Sequence, residues 1–393
     1  MDMNSIIKMY AEYVLPTYTR QDLCLVRGDG VWVEDTEGKK YMDFFPGWAV
    51  SGIGHRHPKV LEAIEGQLKR ILHVSNNYYN DVQPLLAKKI IEHAFCGKVF
   101  FANSGAEANE GAIKLARRYG KNRRYEIITM KGSFHGRTLA TLTATGQDKI
   151  KEGFSPLPEG FSHVPFNDIG AFVSAVTDKT VAVIIEPIQG EGGINVPDEK
   201  YMRALSRFCG EKDILLIVDE VQTGMGRTGE MFAYKHFGIV PDAMTLAKSL
   251  GGGLPIGALV VGEKCADALG AGSHASTFGG SPIVCAAALG VFRAIEEEGL
   301  LQNAVEMGRY LAARLNDMKE NNPMIRRIKG KGLMVGVELD IEDASVITNK
   351  CVEEGLLINC TQKNILRIMP PITVTKELID AALGKISKVL EKS

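Results

Sequence analysis

The sequence predicts an α/β protein, with a large domain built on a mainly parallel sheet and a smaller α+β domain formed by the C-terminal third. Three observations carry this prediction. Short β-rich runs alternate with longer runs of helical period between residues 98 and 220. A hairpin pattern precedes this block, and a mixed helix and strand pattern follows it. Such alternation is typical of a parallel sheet covered by helices on both faces.

Within the block, the strand-like runs are KVFF (98–101), EIITM (126–130), VAVIIEP (181–187) and ILLIVDE (214–220), and the helical runs are EANEGAIKLARRY (107–119) and MRALSRFCGEK (202–212). The earlier run VWVEDTEGKKYMDFF (31–45) predicts two strands joined by a turn at Thr36, Glu37 and Gly38. One long helical pattern from Pro282 to Lys319 leads into the later strand-like segments. We therefore expect an N-terminal segment (1–48) that packs with the small domain (283–393), and a large domain at 49–282.

The composition favours small-molecule chemistry. Lysine and arginine total 46 against 47 aspartates and glutamates, so no strong field attracts nucleic acid or an anionic membrane. The seven cysteines are odd in number, scattered and never spaced C-x-x-C, which predicts reduced thiols and neither a disulfide framework nor a zinc site. The start, MDMNSIIKMYAEYV, resembles neither a secretory signal nor a transit peptide, so we expect a cytoplasmic protein.

The segment FFANSGAEANEGAIK predicts a phosphate site. A strand leads through Ser104, Gly105 and Ala106 into a helix, where free N–H groups and small side chains suit an anion. The segment is neither a Walker A sequence nor a dinucleotide fingerprint, which favours an isolated phosphate. The alternative is an ordinary strand-to-helix turn that Ser104 caps.

In ILLIVDEVQTG, Asp219 and Glu220 stand at the end of a buried strand, where α/β sheets bind ligands. A carboxylate there suits a cationic partner such as a protonated pyridine nitrogen, whose charge helps the ring accept electrons. The alternative is an acid that only caps the next turn. The following GMGRTG (224–229) matches G-x-G-x-x-G, but five residues separate the strand from its first glycine. We therefore reject a dinucleotide site here.

Lys248 lies in PDAMTLAKSLGGGLPIGALV, between two apolar strands and before three glycines that let backbone approach a planar ligand. A partly dry pocket favours its amine form, which imine formation needs, whereas a solvated turn lysine is the alternative. In GSFHGRTLAT, Phe134 suits stacking on a flat cofactor and Arg137 suits a substrate carboxylate. His55 and His57 lack neighbouring ligands, so we expect no metal site.

Taken in order, seven segments resemble the class III, or ω-amino acid, aminotransferases, and the resemblance covers essentially the whole chain. These segments are NSGAEANE (103–110), SFHGRT (133–138), EPIQGEGG (186–193), DEVQTGMGRTG (219–229), AKSLGGGLPIGA (247–258), STFGG (276–280) and LRIMPP (366–371). The resemblance implies fold type I of the pyridoxal 5'-phosphate (PLP) transferases, with a mainly parallel seven-stranded sheet. Ala275 and Ser281 depart from the glycine and asparagine usual in the family, which leaves the loop around Thr277 less well specified.

The resemblance also implies residue roles. Lys248 holds PLP covalently and acts as the general base, and Asp219 faces the pyridine nitrogen. The other cofactor contacts fall to Ser104, Gly105, Ala106, Phe134, Gln222 and, from the neighbouring subunit of a homodimer, Thr277. The substrate contacts fall to Tyr18, Arg137, Glu191, Ser276 and Arg367. Arg367 meets the α-carboxylate of glutamate while Glu191 masks it from other substrates; the alternative is a fixed structural ion pair.

For the reaction, the resemblance implies transfer of the terminal amino group of N2-acetyl-L-ornithine to 2-oxoglutarate, within arginine biosynthesis. Ornithine, succinylornithine, 4-aminobutyrate and lysine-pathway amines are alternatives, because they differ from it only far from the reacting carbon. Glutamate-1-semialdehyde aminomutase, an isomerase, shares the fold and the lysine but needs no external keto acid. A PLP-fold binding protein without turnover is a third class, which the presence of Lys248 and Asp219 disfavours.

Overall fold

A computed structural model describes residues 2–392 of the chain. Its helices are α1 (Met3–Tyr13), α2 (Pro58–Leu68), α3 (Gln83–His93), α4 (Gly105–Tyr119), α5 (Leu139–Ala144), α6 (Ile169–Ala175), α7 (Glu199–Glu211), α8 (Pro282–Glu297), α9 (Leu300–Asn321), α10 (Ser345–Glu353) and α11 (Lys376–Leu390). Its strands are β1 (Leu25–Asp29), β2 (Trp32–Asp35), β3 (Lys40–Asp43), β4 (Gly97–Ala102), β5 (Glu126–Met130), β6 (Phe161–Val164), β7 (Thr180–Ile185), β8 (Leu215–Asp219), β9 (Ala243–Leu246), β10 (Gly257–Gly262), β11 (Ile325–Lys331), β12 (Met334–Leu339), β13 (Leu356–Leu357), β14 (Asn359–Thr361) and β15 (Ile365–Ile368).

The largest sheet has seven strands in the order β4-β10-β9-β8-β7-β5-β6. The pairs among β9, β8, β7, β5 and β6 are parallel, and β10 is antiparallel to both of its neighbours. The predicted mainly parallel seven-stranded sheet is therefore confirmed. Because β4 points the same way as β9, six of the seven strands end at one edge of the sheet and deliver their following loops to the same place.

Both faces of this sheet are buried, as the continuous apolar runs predict. All five residues of β8 are buried, and they alternate between the two faces. Leu215 and Ile217 pack in the same cluster as Ala112 and Leu115 of α4, whereas Leu216 and Val218 pack in the cluster that contains Leu205 of α7. The sheet is thus a rigid layer between helices, and the loops at its edge are held on a fixed frame.

Two smaller sheets come from the two ends of the chain. The N-terminal strands β1, β2 and β3 form an antiparallel sheet, and β13 adds to β3 in parallel, so residues near 40 and 356 share one sheet. The other sheet has the order β11-β12-β15-β14. Domain bounds at residues 48 and 282 stay a prediction. No helix among residues 2–392 is long and apolar enough to cross a bilayer.

One predicted element is wrong in its extent. The single helical pattern from Pro282 to Lys319 is two helices, α8 and α9, because Gly299 adopts a left-handed conformation with φ 62° between them. Glycine reaches this conformation without the steric cost that other residues meet. The predicted hairpin at residues 31–45 is present, with β2 antiparallel to β3 and Gly38 at φ 84° in its turn.

Candidate active site

A cavity of about 480 Å³ lies at the carboxyl edge of the large sheet. The loops that follow β4, β5, β7, β8 and β9 all contribute to its wall, and the segment before β10 closes it. Nine predicted site residues line it, namely Ser104, Gly105, Ala106, Phe134, Arg137, Glu191, Asp219, Gln222 and Lys248. Residues from five separate loops therefore meet in one place, which is what a binding site on this kind of sheet requires.

One end of the cavity is the start of α4. Ser104 is the N-cap of this helix, and its Oγ accepts a hydrogen bond from the backbone N–H of Glu107 at 3.2 Å. Gly105 packs against Val221 so closely that a Cβ atom would lie 2.8 Å from that side chain. The capping that was the alternative to a phosphate site is thus present. It is compatible with a phosphate, because the first backbone N–H groups of a helix still favour an anion.

The carboxylate of Asp219 is held from three directions. Its Oδ2 accepts a hydrogen bond from Asn109 Nδ2 at 2.8 Å and lies 2.8 Å from His135 Nδ1. Its Oδ1 accepts from the backbone N–H of Val221 at 3.0 Å, and the residue is 3% exposed. Thr245 Oγ1 in turn donates to Asn109 Oδ1 at 2.8 Å. A carboxylate fixed in this way at a cavity wall suits a cationic ligand atom.

Lys248 directly follows β9 and Ala247, and it stands in a left-handed conformation with φ 47°. This conformation is uncommon for a residue with a side chain, and such outliers concentrate at functional sites. Removal from water lowers the pKa of the Lys248 ammonium, although nearby Glu191 and Asp219 act in the opposite direction. A lowered pKa favours the neutral amine that nucleophilic attack on an aldehyde needs.

Three further residues add aromatic and polar groups to the cavity wall. Both amide atoms of Gln222 are buried and have no hydrogen-bond partner among residues 2–392, so they are available to a ligand. The Arg137 guanidinium lies 5.7 Å from the centre of the Phe134 ring. The cavity wall therefore combines an aromatic face, a cation and an unpaired amide.

Glu191 and Arg367 form an ion pair beside the cavity. Arg367 Nη1 lies 2.5 Å from Glu191 Oε1, and Nη2 lies 3.3 Å from Oε2. Arg367 is 0% exposed, and its Nε donates to Asn359 Oδ1 at 2.8 Å. The rings of Phe45 and Trp48 lie 4.6 and 5.2 Å from its guanidinium carbon. Glu191 lines the cavity and its partner Arg367 does not, so the positions of the two residues are compatible with masking.

Four predicted site residues do not line the cavity, namely Arg367, described above, and Tyr18, Ser276 and Thr277. Tyr18 is 73% exposed and has the Arg20 guanidinium 5.5 Å from its ring. Ser276 Oγ accepts a hydrogen bond from Asn103 Nδ2 at 3.1 Å, and Thr277 is exposed. The use of Thr277 by a neighbouring subunit stays a prediction.

Among the cavity residues that sequence reasoning missed are three polar ones that hold other groups in place, Asn109, His135 and Glu186. His135 lies in the same loop as Phe134 and Arg137, and Asn109 lies inside a helix with no local signal. Glu186 follows the fully buried β7 in the same way that Asp219 ends β8. The strand-end argument applied to Asp219 was therefore enough to predict Glu186 as well.

Comparison with known proteins gives the family. Residues 14–390 match the model of the class III aminotransferases, "Aminotransferase class-III". The chain belongs to this family. A curated relative from Caldanaerobacter subterraneus subsp. tengcongensis, named acetylornithine aminotransferase, is 51% identical over 97% of this chain and 98% of its own length. One of the same name from Methanocaldococcus jannaschii is 49% identical over 99% and 98%.

Solved structures agree with this family. The ornithine aminotransferase of Toxoplasma gondii ME49 superposes with a TM-score of 0.95 at 31% identity, over 100% of this chain and 96% of that one. The acetylornithine aminotransferase of Elizabethkingia anophelis gives 0.89 at 31% identity, with both chains fully covered. The enzyme is accordingly a PLP-dependent transaminase of fold type I. The cavity fits PLP, because it offers a helix N-terminus, a fixed carboxylate, an unpaired amide and a lysine.

Proposed function

We propose that the enzyme transfers the terminal amino group of N2-acetyl-L-ornithine to 2-oxoglutarate, giving N-acetyl-L-glutamate 5-semialdehyde and L-glutamate. The choice of substrate rests on sequence identity, because relatives named acetylornithine aminotransferase are 46–51% identical over nearly the whole chain. The masked Arg367 supports it, because acetylornithine brings one carboxylate and glutamate two. Ornithine is the second candidate, since ornithine aminotransferases superpose closely at about 30% identity.

We propose that Lys248 binds PLP covalently, that Asp219 holds its pyridine nitrogen, and that the start of α4 (Ser104, Gly105 and Ala106) holds its phosphate. Gln222 would meet the ring hydroxyl, and Phe134 would cover one ring face. Bound PLP supplies an aldehyde carbon that takes up an amino group and a ring that accepts electrons. Lys248 Nζ, whose amine form is favoured by burial, would take the proton from the substrate carbon that bears the nitrogen.

We assign the substrate carboxylates to two arginines. Arg137, exposed at the cavity wall, is placed to bind the carboxylate remote from the reacting amine in both substrates. Arg367 is reserved for the α-carboxylate of glutamate, which has to displace Glu191. We also assign substrate contacts to Tyr18 and Ser276, although neither lines the cavity of a single subunit.

We propose a homodimer whose subunits complete each other's sites. Thr277 belongs to an exposed surface, which we call the 71–79 surface, formed by residues 71–79 and 276–279. Asn76 Nδ2 donates to the carbonyl oxygens of Ser276 and Gly279 at 3.1 and 3.0 Å, so the two segments are one unit. This unit exposes several large apolar side chains, which are Ile71, Leu72, Tyr78, Tyr79 and Phe278. An apolar patch of this kind marks an interface.

We propose that the enzyme works in the cytoplasm. All seven cysteines are free thiols in the structure, four of them buried. Free thiols persist where the surroundings are reducing.

A substrate panel tests the reaction. Acetylornithine, succinylornithine, ornithine and 4-aminobutyrate are each assayed with 2-oxoglutarate, and acetylornithine is expected to have the highest kcat/KM. Lys248→Ala is the matched control: it should retain noncovalent PLP yet lose transamination, because the general base and the covalent attachment are both lost. A higher kcat/KM for ornithine would favour the second candidate, and wild-type turnover by Lys248→Ala would refute the role of this lysine.

A further inference from the structure

Glu186 is a buried acid in the cavity wall that the reaction described above does not use. It follows β7 directly and is 7% exposed. Its Oε2 accepts a hydrogen bond from the backbone N–H of Phe134 at 3.2 Å, and its Oε1 accepts one from the backbone N–H of Gly190 at 3.2 Å. One carboxylate thus bridges the loop after β5 and the loop after β7.

Each of these loops carries groups that face the cavity. The loop after β5 presents Phe134 and Arg137, and the loop after β7 presents Glu191 next to Gly190. A side chain at Gly190 would overlap Gln222 Oε1, so the backbone at this position also confines the unpaired amide. Displacement of either loop would therefore move the aromatic face, the Gln222 amide or the acid that masks Arg367.

The charge of Glu186 responds to its surroundings. Burial raises the pKa of its carboxyl to about 7, Asp219 adds to this rise, and His135 with the two backbone donors opposes it. Lys248 also interacts with it. The carboxyl consequently changes its protonation near neutral pH, where the two hydrogen bonds that it accepts also change.

We propose that Glu186 is a positioning residue that ties the Phe134 loop to the Glu191 loop, and that its protonation releases one of the two ties. A carboxylate has two acceptor oxygens, and each faces one backbone N–H. The hydroxyl of the protonated acid is a donor and no longer matches the N–H that faces it. The two loops are accordingly held together more tightly above neutral pH than below it. Loss of either hydrogen bond ends the link, so both the Phe134 loop and the Glu191 loop become freer to move.

The proposal rests on the proposed roles of Phe134 and Glu191, but its test does not depend on turnover. Amide hydrogen exchange of the holoenzyme is followed by mass spectrometry on peptides that contain Phe134 and Gly190, at about pH 6 and about pH 8, with rates corrected for their intrinsic pH dependence. In the wild type, exchange in at least one peptide should be faster at the lower pH. In Glu186→Gln, whose amide offers one acceptor, exchange should be on the order of tenfold faster at about pH 8 and no longer depend on pH.

Two further variants separate this role from general destabilisation. Glu186→Asp keeps a titratable acid, so its exchange should still depend on pH. Glu220→Gln is the matched control, because Glu220 is also buried and burial also raises the pKa of its carboxyl to about 7, yet the hydrogen-bond partners of its carboxylate, Thr223 and Tyr234, lie in neither loop. Exchange in Glu186→Gln that equals wild type at both pH values, or equal acceleration in Glu220→Gln, would overturn the proposal. A different amine substrate would leave the exchange result unchanged.

Discussion

Asp219 owes its orientation to side chains that arrive from other elements. Asn109 reaches it from α4, and His135 reaches it from the loop after β5. Thr245, on the neighbouring strand β9, fixes the Asn109 amide and so determines which of its atoms faces the carboxylate. The acid therefore meets the cavity with its position fixed, which is the preorganisation that electrostatic stabilisation requires.

Asp219→Asn should cripple turnover far more than it weakens PLP binding. An amide of the same shape retains packing, but it has no charge to hold a cationic ring nitrogen and turns an N–H₂ group toward one of the donors around it. We expect kcat to fall by about 10²–10³-fold. Steady-state kinetics and a PLP titration measure the two effects separately. Equal kcat values for the two proteins would show that Asp219 only caps the strand.

The Glu191–Arg367 pair gives a second prediction at this scale. Because Arg367 keeps Asn359 as a partner, Glu191→Gln should leave it in place and unmask it. The half-reaction with glutamate should then accelerate, with little gain for acetylornithine. Arg367→Lys should slow the glutamate half-reaction, because a point charge replaces the fork that grips a carboxylate. Single-turnover absorbance with each amine measures this, and equal changes for both amines would instead indicate a fixed structural pair.

Local sequence patterns predict some of these residues and not others. Lys248, Asp219 and Ser104 each follow a strand at its carboxyl end, so the order of strands along the chain is enough to bring them together. Asn109 and His135 act through a contact between α4 and the loop after β5, which no local pattern contains. The Glu191–Arg367 pair likewise joins two distant segments, and only the family resemblance indicated it.

At the scale of elements, Glu220 fastens the end of β8 to the turn at residues 233–237. Its Oε1 accepts from the backbone N–H of Tyr234 at 2.7 Å, and its Oε2 accepts from the Thr223 hydroxyl. Burial raises the pKa of the Glu220 carboxyl from 4.5 to about 7. A raised pKa in the folded state means that this group stabilises the fold fully below pH 4.5 and that the contribution is lost as pH rises through about 7.

Glu220→Gln removes this dependence. Relative to the wild type, the variant should become more stable as pH rises from 5 to 8, by on the order of 3 kcal/mol. Urea unfolding of both proteins at the two pH values measures the difference in their free energies of unfolding. A difference that is constant across this range, or one that shifts in favour of the wild type at high pH, would contradict the prediction.

Element boundaries show where local patterns stop being informative. The apolar period continues through residues 282–319, so it predicts one helix. The left-handed conformation of Gly299 nevertheless separates two helices at that point. The C-terminal apolar runs similarly break into β13, β14 and β15, because β13 pairs with the N-terminal sheet and the other two pair with each other. The tertiary fold determines which strands pair in this way, so a local sequence pattern does not predict it.

At the scale of the whole molecule, the 71–79 surface predicts a dimer that is linked to cofactor binding. Tyr79 is fully exposed on this surface, so Tyr79→Asp should break the apolar interface without disturbing the core. We expect the variant to sediment as a monomer and to bind PLP more weakly, because Thr277 no longer reaches a second site. Val240→Asp is the control, since Val240 is exposed before β9, at the opposite end of that strand from Lys248. A dimeric Tyr79→Asp protein would place the interface elsewhere.

The antiparallel strand β10 has a consequence for the order in which the site forms. β4 leads into the phosphate loop, yet its neighbour in the sheet is β10, and Gly257 lies opposite Ala102. This pairing joins segments far apart in the chain, and such non-local pairings form slowly during folding. The start of α4 has its full set of neighbours only when β10, the strand beyond Lys248, has docked. A nascent chain that ends before residue 257 would lack the strand that pairs with β4, so we expect capture of the cofactor late in folding.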